Sequence, residues 1–118
     1  MNRIYEGLRT DSPDEHSIRI TVDGQPLDMR NDLRNHSPDG GNWGYAGSGP
    51  AQLSLAILAD ATGDDELAQG LYQRFKREFI AGIDRDVFLI TQAEVRCWVA
   101  AILVAEPPDD TPSPDAGA

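Results

Sequence analysis

A single cysteine, Cys97, stands in 118 residues, so an internal disulfide framework is excluded. No apolar run approaches the roughly 18 residues that a membrane span needs, and no membrane partner is expected. The opening residues Met1 to Glu6 hold no apolar h-region, so no secretory signal is expected and the expected location is the cytoplasm. Bases are scarce: ten Lys and Arg against twenty Asp and Glu give a net charge of −10. That charge disfavours nonspecific nucleic-acid binding and attraction to anionic membranes. The two histidines and the cysteine have no ligand-like spacing, which speaks against a zinc site. The Gly-Lys-Ser/Thr of a P-loop, the Gly-x-Gly-x-x-Gly fingerprint and a Gly-x-Ser-x-Gly elbow are all missing. No metal, cofactor or catalytic residue is therefore assigned. What is present, 40% apolar and 25% charged residues, is ordinary globular usage at the length of one domain.

The chain divides into a domain over residues 1–105 and a tail over 106–118. The tail holds four prolines, four acids, no base and no large apolar residue. Such a segment cannot bury enough surface to offset its ordering, so a disordered, acidic, proline-rich tail is expected. Without it the domain has sixteen acids against ten bases, a net of −6. In the domain, Ile18, Ile20 and Val22 alternate with Arg19 and Thr21, the period of a half-buried strand. Asp23-Gly24 follows and predicts a hairpin turn, since both residues tolerate positive φ. Pro26 makes the returning strand short and places it at an edge. Arg3 to Leu8 and Val87 to Ile90 are further strand candidates. Gly49-Pro50 predicts a helix start, with Leu53, Leu55, Ile57 and Leu58 apolar all round, ending at Gly63. Asp64-Asp65-Glu66 opens a second helix with Leu67, Leu71, Phe75 and Phe79 as its stripe, closed by Gly82. The cluster Arg74, Lys76, Arg77 near its end is read as a solvated face. Thr91-Gln92-Ala93-Glu94 has the form of a capping box, followed by Val95, Trp98, Val99 and Ile102 on one face. Cys97 falls off that face and is expected to be a packed, inert thiol. The expected fold is α+β, a small antiparallel β-sheet of three to four short strands packed by three helices.

The connection Arg30 to Gly49 carries the candidate site. Loops this long are often functional. Five glycines fall within ten residues around Trp43 and Tyr45. In a binding reading, free amides near Ser48 and Gly49 cradle an anion at the helix start, Arg34 pairs with it, and Trp43 or Tyr45 stacks on a base or sugar. His36 and Asp39 complete that set and could work as an acid/base pair. In a structural reading, the glycines permit a tight turn, Ser48 and Gly49 cap, the aromatics enter the core, and Arg34 to Asp39 is a hydrogen-bonded loop. His16, in a polar turn, is read as solvated.

Trp43-Gly-Tyr-x-Gly-Ser-Gly-Pro-Ala-Gln-Leu-x-Leu-Ala-Ile-Leu58 resembles a family of small proteins of bacteria, archaea, phages and plasmids, classed as a domain of unknown function. Tyr72-x-x-Phe75, the helix opened by Thr91-x-x-Glu94-Val95, and Arg34-Asn35-His36-Ser37 add to the resemblance, which covers roughly Tyr5 to Ala105. It implies no activity; a mobile-element setting suggests defence or counter-defence by analogy alone. The expected function is a non-enzymatic protein-binding, adaptor or regulatory domain with a protein partner. The alternatives are a small anionic ligand such as a nucleotide, held by Arg34, His36, Asp39, Trp43, Tyr45, Ser48 and Gly49, or a small enzyme.

Overall fold

The computed structural model describes residues 2–105; the expected tail, 106–118, lies outside the described residues. The chain runs β1 (Ile4–Asp11), β2 (His16–Val22), β3 (Gln25–Pro26), α1 (Ser48–Thr62), α2 (Asp65–Phe75), a π-helical turn (Lys76–Ile80), β4 (Val87–Thr91) and α3 (Gln92–Ala105). All neighbouring strands are antiparallel, in the order β3-β2-β1-β4. The architecture is the expected α+β, a four-stranded sheet with three helices.

Local chemistry accounts for most of these elements. Asp23 and Gly24 both take positive φ, 50° and 82°, and close the β2–β3 hairpin with Val22 opposite Gln25. Pro26 limits β3 to two residues at the sheet edge. The inner face of the sheet presents Tyr5, Val22, Phe88 and Ile90, all buried. Gly7, opposite Phe88, lets that ring cross β1; a Cβ there would collide with the Phe88 ring.

α1 lies at the centre, with Leu53, Leu55, Ala56, Ile57 and Leu58 fully buried and α2 and α3 packed on it. It begins earlier than Gly49-Pro50 predicts. Gly47 is the N-cap in extended conformation, and Ser48 is already helical, without a side-chain cap. Pro50 thus falls in the first turn, where its missing donor costs no hydrogen bond. Gly63 ends α1 in the left-handed region at φ 68°, and Asp64 caps α2 by accepting from the Leu67 amide at 3.0 Å.

The second helix departs from the sequence pattern after Phe75. Instead of continuing as α-helix to Gly82, the backbone widens into a π turn in which the Ala81 amide donates to the Lys76 carbonyl at 2.8 Å. The Ile80 carbonyl there accepts from the Gly44 amide at 3.1 Å, tying the glycine-rich connection to the end of the helix pair. Phe75 and Phe79 stack at 4.7 Å, and the Trp98 indole meets both edge-on.

α3 opens with the expected capping box: the Glu94 amide donates to the Thr91 hydroxyl at 3.2 Å, and the Thr91 amide to the Glu94 carboxylate at 3.0 Å. Val95, Val99 and Ile102 are buried, while Trp98 is half-buried. Cys97 corrects the sequence reading. It is exposed, because α3 packs through one face only and nothing among the described residues covers the other.

Candidate functional site

Gln52 is the side chain that ties the long connection between β3 and α1 to α1 by four hydrogen bonds. Its residue is fully buried on α1. The Oε1 accepts from the backbone amides of His36 (2.8 Å) and Ser37 (3.1 Å), and the Nε2 donates to the carbonyls of Met29 (2.6 Å) and Arg34 (3.0 Å). A primary amide has two donors and two acceptor lone pairs, so this group is fully engaged. Arg30, in the left-handed region at φ 53°, turns the loop and bridges Asp32 and Asp65. The Asp32 carboxyl is held below the usual carboxylate range by its hydrogen bond to Arg30.

Around this clamp the expected binding residues separate. Arg34 is exposed and donates to the Gln69 amide oxygen on α2 at 3.3 Å. His36 is half-buried, with its Nε2 2.6 Å from the Tyr72 hydroxyl. Asp39 is exposed and lines an open depression of about 430 Å³ with Arg9, Asp11 and His16 at the β1–β2 end. His16 is exposed, with Nδ1 2.6 Å from an Asp11 carboxylate oxygen.

Trp43 is fully buried. Phe88 meets its ring edge-on at 4.9 Å, the Arg9 guanidinium lies 4.7 Å from its centroid, and its indole N–H donates to the Arg85 carbonyl at 2.7 Å. Arg9 also bonds the Asn42 amide oxygen, the Trp43 carbonyl and Asp86, so this corner joins β1, the connection and the entry to β4. An indole in that position keeps no open face for stacking. Tyr45 does the opposite of entering the core: it is 48% exposed, with its ring laid over Gly47 and Gly49. Those glycines leave room for the ring, since a Cβ on Gly47 would lie 2.6 Å from Tyr45 Cε2. Gly44, at φ 89°, is required twice over, because a Cβ there would also meet the Ile83 carbonyl at 2.8 Å. Ser48 is exposed at the start of α1 and Gly49 is buried. The structure therefore places Tyr45, Ser48 and Gly49 together, Arg34 and His36 on the α2 side, and Trp43 in the core.

A second region stands out by composition. Residues 87–91 and 97–105 carry no charged side chain in a chain that is 25% charged. Burial explains the apolar run of α1, whose one charged residue is Asp60, but among the described residues β4 and α3 are covered on one side only. Val87 is 56% exposed, Leu89 59% and Val104 83%. On the outer sheet face Leu8, opposite Val87, joins them. The sequence reading did not single out this surface; its signal was apolar residues on the helix positions opposite Val95, Val99 and Ile102.

Among the described residues, no cluster of three or more His, Cys, Asp or Glu side chains could hold a metal ion, and no helix is long and apolar enough to cross a membrane. No curated protein and no solved structure matches the chain. The family of unknown function DUF6166 matches residues 5–101, with the central motif, the buried α1 and the capped start of α3 inside the match, and the chain belongs to that family.

Proposed function

We propose that this protein is a non-enzymatic binding module that engages a protein partner through β4 and the outer face of α3. One observation carries the proposal: a helix that is apolar nearly all round from Cys97 to Ala105 is buried on only one side. Helices of that composition are normally covered all round, and apolar surface gathered in one place marks interaction sites. Cys97, exposed on that face, supplies the test. A photo-crosslinker attached to it in the full chain should yield a discrete protein adduct in host extract, lost when Val104→Glu puts a charge on the same face. Adducts that do not change with Val104→Glu, or none at all, would refute the assignment.

A small-anion site has narrower support, the exposed Tyr45 beside an α1 start that has no side-chain cap. A nucleotide bound there at 100 times its Kd would stabilise the fold by about 2.7 kcal/mol. A thermal-shift screen without hits of that size, or with hits untouched by Ser48→Pro, removes this reading.

A further inference from the structure

We infer that the partner on this surface is a second copy of the chain, joined through the free edge of β4 about a two-fold axis at Phe88. The inference rests on the binding reading above and names its occupant.

The backbone geometry defines the edge. Arg9 donates its amide to Asp86 and Gln92 donates to Arg3, while the register sets Leu8 opposite Val87, Gly7 opposite Phe88 and Glu6 opposite Leu89. Antiparallel pairs alternate between bonded and non-bonded. Phe88 and Ile90 therefore turn their amides and carbonyls toward β1, and Val87, Leu89 and Thr91 turn theirs to the open side of the last strand. The Thr91 amide is taken by Glu94 at 3.0 Å, and the Arg85 carbonyl accepts the Trp43 indole N–H at 2.7 Å. Among the described residues the free ladder is thus Val87 and Leu89, placed symmetrically about Phe88.

That symmetry suits self-pairing. With Phe88 opposite Phe88 of the second copy, Val87 falls opposite Leu89 of the second copy, and each free donor meets a free acceptor. Isologous pairing of this kind closes on itself as a dimer. On the outer face the exposed Val87 and Leu89 side chains then become cross-strand neighbours. At each end Arg85, flanked by Asp84 and Asp86, meets an acid. Arg85, whose side chain is 85% exposed, comes opposite the Thr91 of the second copy, where Glu94 lies. At the other sheet edge β3 is two residues long and holds Pro26, whereas β4 has no proline and no charge to protect it.

A two-residue ladder alone falls short of the roughly 800 Å² per partner of a standard interface, so α3 must contribute. Glu94, Cys97, Ala101 and Val104 share one helix face by spacing, and Glu94 already reaches the open edge through Thr91. Cys97 and Ala101, in the middle of that face, are small enough for a neighbouring helix to approach there.

The test is sedimentation of the full chain at physiological salt over a wide concentration range. The expected result is a dimer of twice the chain mass. Val87→Lys with Leu89→Lys should give a monomer with unchanged circular dichroism, since both side chains are exposed. Leu89→Pro should do the same, because it removes an outward amide without touching the β1 ladder. Ile18→Lys, exposed on β2, should leave the dimer intact. A monomer at every concentration overturns the pairing, as does a dimer that survives the double lysine variant. If the wild type is monomeric and Cys97 still gives an adduct with another protein that Val104→Glu abolishes, the pairing has failed and the binding reading stands. If no such adduct forms either, both have failed.

Discussion

Replacing Gln52 by Ala would strip the connection from β3 to α1 of its main attachment. The amides of His36 and Ser37 and the carbonyls of Met29 and Arg34 all lose their partner at once. At about 1 kcal/mol net per hydrogen bond, and with water reaching some of these half-buried groups, the loss is about 2–4 kcal/mol. For a domain of this size that is a fall in Tm of roughly 10–25 °C. Urea unfolding should show a lower midpoint at unchanged m, and hydrogen exchange should accelerate over residues 30–37. Gln52→Glu sharpens the case. Its carboxylate can still accept from His36 and Ser37 but faces the Met29 and Arg34 carbonyls without a proton. Protonation returns a donor, so the folded-state pKa of this Glu must lie above the unfolded value of about 4.3. The variant should be closest to wild type below that value and lose stability as pH rises through its folded-state pKa. A Gln52→Ala protein within about 0.5 kcal/mol of wild type, with unchanged exchange in the loop, would refute the clamp.

Gly44→Ala should destabilise by about 1–3 kcal/mol, since it combines a left-handed φ with a carbonyl 2.8 Å from the new Cβ; an unchanged melting curve would refute this. Tyr5 is held well above the ordinary phenol range, first by burial and then by its 2.6 Å hydrogen bond to Asp60. Its contribution is complete below about pH 10 and is lost as pH rises through the folded-state value, so Tyr5→Phe should flatten the alkaline loss of stability in melts from pH 8 upward. Thr91→Ala should cost about 1 kcal/mol by breaking the capping box, seen as a lower midpoint in denaturant, whereas Thr91→Ser should cost far less.

Local chemistry was legible in the sequence wherever neighbouring residues supply both partners of an interaction. Asp23-Gly24, Asp64, Gly63 and Thr91-Glu94 meet their turn and cap roles within a few residues, so their signals survive folding unchanged. Pro26 foretold the short edge strand for the same reason: what it lacks, an amide donor, is its own property. The π turn after Phe75 was not legible, since the Leu67, Leu71, Phe75, Phe79 spacing suits an uninterrupted helix. The carbonyl that accepts from Gly44 comes from contact between segments far apart in sequence.

The candidate site divides along the same line. The residue types of the glycine-rich connection marked it as unusual, but their destinations depended on which partners tertiary packing brought near. Trp43 went inward because Arg9, Phe88 and the Arg85 carbonyl meet it there, and Tyr45 stayed outside because Gly47 and Gly49 leave it a shelf. Gln52 had a sequence signal, an amide at the head of the apolar run of α1, yet its four partners lie on a loop with no periodicity to reveal them. Cys97 was misplaced because helical spacing gives the angle between faces and says nothing of how many faces are covered. By itself the sequence determined the opening caps of α2 and α3, the Gly63 stop of α1, the hairpin turn and the edge strand, all set by short-range sterics and hydrogen bonding. The tertiary structure alone decided which faces of β4 and α3 are left open, because burial depends on every other element of the fold.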